Sequence, residues 1–83
     1  MKLFGAVVKE QGVSFTIIQV KHGYLNQVTL NQLQREAPVN MPRPVILAES
    51  SSSGLRYFGR PDVVRFLSNI SADQIPWQEF DVR

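Results

Sequence analysis

The chain reads as a small α+β domain in ββαββα order, a mostly antiparallel sheet with helices on one face and a last apolar segment that can add a C-terminal strand. Two observations carry this reading. Residues 2–21 hold two β-branched runs around Gly12, and residues 45–58 hold two more around a serine-rich turn. Each pair is followed by apolar residues at helical spacing, the signature of a helix covering a sheet. With 83 residues, the chain forms one domain, 1–83.

The first strand runs from Lys2 to Lys9, with Phe4, Ala6 and Val8 on one side. Gly12 supplies the positive φ that a short hairpin requires. The second strand, Val13 to Lys21, alternates Val13, Phe15 and Ile17 with Ser14 and Thr16. Ile18 and Val20 then make its other side apolar, which predicts a central strand covered on both faces at its far end. Thr29-Leu30-Asn31-Gln32 fits a capping box, and Leu30, Leu33 and Ala37 lie at i, i+3, i+7 of a short helix that Pro38 stops. The prolines then predict an extended segment over Val39–Pro44. Val45–Ala48 is a buried strand, Ser50–Gly54 a turn, and Leu55–Phe58 the returning strand. Pro61 opens the clearest helix, to Ile70, with Val63, Val64, Phe66, Leu67 and Ile70 on one face and Asp62 at its positive end. Ser71–Gln74 caps one further turn. Trp77–Val82 then pairs with a sheet edge or packs as a tail, with Trp77 and Phe80 either set into the core or forming an exposed interaction patch. The stretch from Pro44 to the second helix resembles the last ββα of thioredoxin-like domains. The front half carries neither a βαβ unit nor a cysteine pair, and no family follows from it.

Composition narrows the function classes. The chain has no cysteine, which removes disulfides, thiolate nucleophiles and cysteine-based zinc sites. A secreted domain this small would lean on disulfides, so the expectation is a cytoplasmic protein. Lys9-Glu10 interrupts the apolar start too early for a signal peptide, and no run approaches the ~20 apolar residues of a membrane span. A net charge of +2, with basic residues scattered from Lys2 to Arg83, makes no strong phosphate-binding field.

The chemistry-bearing residues are few. His22 is the single histidine, beside Gly23 at a strand end, with no legible nucleophile or carboxylate to work with. The run Ser50–Ser53 lacks the glycines of a nucleophile elbow and reads as a loop. The carboxylates show no pairing pattern, and the isolated glycines form no phosphate loop. The expectation is therefore no enzyme, no metal and no cofactor. Gly59-Arg60-Pro61-Asp62, at a helix start, is the best lead for anion contact, with Arg56 and Arg43 as candidate neighbours. Arg56, Tyr57 and Arg60 together have the basic-aromatic texture of a single-stranded nucleic-acid surface. The sequence points first to a non-catalytic protein-binding or adaptor module, acting on a protein partner or as a homo-oligomer through exposed sheet edges. The alternative is a weak nucleic-acid or anion-binding domain using Arg43, Arg56, Tyr57 and Arg60.

Overall fold

In the computed structural model, residues 2–10, 12–38 and 40–81 are described. The chain runs β1 (Lys2–Glu10), β2 (Val13–Gln19), α1 (Gln27–Glu36), β3 (Val45–Ser51), β4 (Gly54–Phe58), α2 (Pro61–Ser68), one 3₁₀ turn (Ala72–Gln74) and β5 (Gln78–Asp81). The strands form one sheet in the order β4-β3-β2-β1-β5. It is mostly antiparallel; β2 and β3 alone run parallel, joined through α1. The expected C-terminal strand is present as β5 on the outer side of β1, while Val82 and Arg83 lie outside the described residues. Gly12 has the positive φ that the hairpin asked for, at 82°.

The expectation of both helices on one face is corrected by the way the core divides. Ala6, Phe15, Ile17, Ile46 and Ala48 point to one side of the sheet, where Val63 and Leu67 of α2 and Ile75 pack on them. Ile18, Val45 and Leu47 point to the other side, under Leu30 of α1 and Met41. The reason lies in β3, where Val45 to Ala48 are all within 1% of full burial. Successive strand side chains alternate between faces, so four consecutive apolar residues require cover on both. One helix goes to each side.

The start of α1 is also earlier than the capping box suggests. Asn26 is the N-cap: its Oδ1 accepts from the Thr29 amide at 2.9 Å. Leu25, just before that cap, and Leu30 join the same apolar cluster, the arrangement of a hydrophobic staple. Thr29 is thus the third helical residue rather than the cap. The segment before β3 curls instead of extending: the Met41 amide donates to the Pro38 carbonyl at 3.0 Å. Val39, within that stretch, lies outside the described residues.

Gly5 fixes the spacing of β1 and β2. It stands opposite Ile18, and a Cβ there would overlap the backbone carbonyl of Ile17. Replacing Gly5→Ala should destabilise the fold by about 1–3 kcal/mol, the usual range for forced overpacking. A urea titration would show this as a lower midpoint with an unchanged slope.

Candidate functional site

Backbone polarity along a strand alternates, so an edge strand offers every second residue's N–H and C=O to an incoming chain. The direction can be read outward from β2. Thr16 and Val20 donate their amides to Pro44 and Ala48 at 3.1 and 2.8 Å, so the even-numbered residues of β3 face β2. Leu47, Glu49 and Ser51 therefore face β4, opposite Phe58, Arg56 and Gly54. Leu55 and Tyr57 are left with their backbone groups turned to the open side.

The side chains of those two residues bound a shallow pocket. Leu55 and Tyr57 point to the α2 side, where Leu67, Ile70 and Ala72 complete a recess of about 290 Å³. Tyr57 packs at the margin of the core, and burial pushes its phenol above the ordinary tyrosine range. Arg56 and Phe58 point to the α1 side. Tyr57 and Phe58 face opposite ways, as strand alternation requires, and pack against separate clusters.

The other open edges differ in character. β5 carries Glu79 and Asp81 among its four residues, and Lys2 on the neighbouring strand approaches Glu79 at 3.8 Å. Such charges blunt an edge. The outer side of β1 beyond Gly5 bears Lys9 and is flanked by Ile75 and Pro76. β4 has one charged side chain in five, at Arg56.

The four residues singled out for anion contact are distributed as follows. Arg43 wraps the end of α1: its guanidinium donates to the carbonyls of Gln34, Ala37, Pro38 and Met41 at 2.7–3.2 Å. Gln34 has no i+4 amide to accept from, because that residue is Pro38, and Arg43 supplies donors to this helix end and the turn after it. Arg60 is the N-cap residue of α2 and forms two 2.8 Å bonds to the Asp62 carboxylate. Asp62 in turn accepts from the Val63 amide at 3.0 Å, so the chain's own carboxylate occupies this helix start. The pairing raises the Arg60 guanidinium's pKa. The same hydrogen bond holds the Asp62 carboxyl below the usual carboxylate range. Arg56 lies 3.9 Å from Glu49. Only Arg56 and Tyr57 share the β4 edge.

Glu49 belongs to no sequence motif, yet the fold gives it several partners. It is 4% exposed; its Oε2 accepts from the Gly23 amide at 2.9 Å, and His22 Nδ1 stands 3.8 Å from Oε1. A buried carboxylate needs such partners. His22 itself is largely in solvent. Ser51–Ser53 shape the β3–β4 turn, with the Ser51 hydroxyl donating to the Gly54 carbonyl at 2.6 Å. Trp77 stacks on Phe4 at 5.7 Å and donates from Nε1 to the Ala72 carbonyl, at the margin of the α2-side core. Phe80 packs in the α1-side core.

No helix among the described residues is long and apolar enough to cross a membrane. Comparison of the chain with protein-family models, with curated proteins and with solved structures finds no match to any of them.

These contacts carry two expectations. Arg43→Ala should cost about 1–3 kcal/mol, since helix-end carbonyls lose their donors, and the loss is measurable by urea unfolding. Asp62 has a depressed folded pKa, so its contribution to stability is present above the unfolded carboxylate pKa of about 4 and is lost as pH falls through the folded value. Asp62→Asn should therefore lower stability slightly at neutral pH, and its gap to the wild type should close as pH falls through about 4, as read by urea unfolding across that range.

Proposed function

We propose that this chain is a cytoplasmic, non-catalytic protein-binding module that takes an extended segment of its partner onto the open edge of β4. The supporting observation is the pair Leu55 and Tyr57, whose backbone groups face outward beside the recess against α2. In strand addition, main-chain bonds supply affinity and pockets for alternate side chains supply specificity. The edge and the recess meet both needs. The lack of cysteine supports the cytoplasmic assignment.

Anion or nucleic-acid binding through Arg43, Arg56, Tyr57 and Arg60 is the weaker proposal. Arg43 and Arg60 already have their donors engaged within the chain, which leaves Arg56 as the cation on this surface.

Leu55→Pro tests the edge. Proline removes an outward amide without touching the bonds between β3 and β4, and prolines are tolerated on edge strands for that reason. Peptides selected from a random display library against the wild-type protein should bind Leu55→Pro about tenfold more weakly, as expected for a lost hydrogen bond of ~1.4 kcal/mol. Their amide shift changes should centre on residues 54–58. Selected peptides that bind both proteins equally, with shifts elsewhere, would remove the reading.

A further inference from the structure

Resting on the reading of β4 as a strand-addition edge, we infer that this edge also accepts β4 of a second copy, antiparallel about a twofold axis through Tyr57. The argument is one of register. Across such an axis, residues directly opposite each other must lie on the same face of the joined sheet, so the axis passes through a residue of β4. Three registers give substantial overlap.

An axis at Arg56 sets the two guanidinium groups directly opposite each other. Like charges opposite one another on adjacent strands repel, and Glu49, at 3.9 Å, is shared with the Gly23 amide in each copy. An axis at Leu55 places Arg56 opposite Gly54, which has no side chain to meet it. It also runs Tyr57 and Phe58 out against the other copy's serine turn at residues 52–53. An axis at Tyr57 pairs Tyr57 with itself and sets Arg56 opposite Phe58 on the α1 side. Leu55 then falls opposite Gly59, one residue past β4, where Ile46 fills the side-chain position.

This third register matches the charges and the surface on both faces. The guanidinium of Arg56 lies over an aromatic ring, an attractive contact, and the two tyrosines form an aromatic cross-strand pair. Because Tyr57 turns its backbone outward, the central pair exchanges both its N–H···O bonds. On the α2 side the two tyrosines lie at the axis, between the two recesses.

The chain has no cysteine, so a single introduced thiol reports the register cleanly. Residues facing each other across an antiparallel pair have Cα atoms about 4.5–5.5 Å apart, within disulfide reach, whereas a two-residue offset is beyond it. Under mild oxidation, Tyr57→Cys should form a disulfide-linked dimer, while Leu55→Cys and Arg56→Cys should not. Sedimentation equilibrium of the unmodified protein should show a mass rising with concentration toward twice 9.4 kDa, and Leu55→Pro should stay at one chain. A single-chain mass up to about millimolar concentration would overturn the inference, as would linkage through Leu55→Cys or Arg56→Cys in place of Tyr57→Cys. If the protein stays monomeric yet its selected peptides still lose affinity for Leu55→Pro, self-pairing falls and the edge reading stands. If the peptides are indifferent as well, both fall.

Discussion

The architecture depends on the parallel pair β2–β3 being buried on both faces. Ile17 and Ile46 stand side by side on the α2 face, and Ile18 and Leu47 on the α1 face, all within 1% of full burial. A parallel pair cannot be closed by a tight turn, so the chain between β2 and β3 must cross over, and α1 is that crossover. It covers the α1 face on the way. The opposite face then has to be covered by the chain beyond β4, which supplies α2 and the 3₁₀ turn. The antiparallel hairpins extend the sheet outward from this centre, with β4 on one flank and β1 and β5 on the other. A helix of 10 residues is about 15 Å long, and a five-stranded sheet is about 19 Å across. The helices can shield the middle of the sheet, but no helix lying on a face can cap an edge. Exposed strand edges are therefore a consequence of the same constraint that builds the core.

The buried polar groups obey the same geometry. Thr16 lies in the fully covered stretch of β2, and its hydroxyl donates to the Pro42 carbonyl at 2.7 Å. Glu49 sits where β3 leaves the core and takes the Gly23 amide of the loop after β2, tying that loop to β3. Its second oxygen faces His22 and Arg56, so the one cation of the β4 edge belongs to the same cluster as the loop that leads into α1. Arg43 closes the other end of α1. Both ends of the crossover are thus anchored by a long polar side chain.

Local patterns in the sequence reveal much of this. The alternation in Val13–Ile17 and the apolar run Val45–Ala48 identify the central strands, and the Pro61-Asp62 start identifies α2 to within two residues of its end. The division of the helices between faces is implicit in the same run, because β3 has no polar side chain before Glu49. Treating each ββα unit as a one-sided motif hides it. Arg43 and Arg60 are legible as cations but not as capping groups. Their partners are backbone carbonyls in one case and a carboxylate two residues away in the other, and a charge count does not distinguish a solvated arginine from one turned inward. The α1 cap is obscured by competition between Asn26 and Thr29, both good capping residues, which the staple of Leu25 on Leu30 resolves. Exposed edges follow from the sequence, but not what they offer. Which residues of β4 turn their backbone outward depends on the register with β3, and that register is a property of the assembled sheet.

That register also bears on which associations an open sheet permits. With two edges exposed, a sheet can grow head to tail, β5 of one copy meeting β4 of the next, and such heterologous contacts stay open unless the rotation between copies closes a ring. The directions are compatible: β4 and β5 run oppositely, as the pairings from β4 through to β5 require. The side chains are not. Glu79 stands opposite Phe4, on the α2 face with Trp77, and Asp81 shares that face by alternation. Copies stacked edge to edge with their faces aligned would bring these carboxylates against Leu55 and Tyr57, and against the apolar recess beside them. Arg56, the residue that would welcome a carboxylate, lies on the other face. Desolvating an acid against an apolar pocket is costly, while the β4–β4 pairing about Tyr57 asks for no such step. The distribution of charge between the two edges therefore opposes open growth and leaves a closed twofold pair as the association the edge chemistry favours.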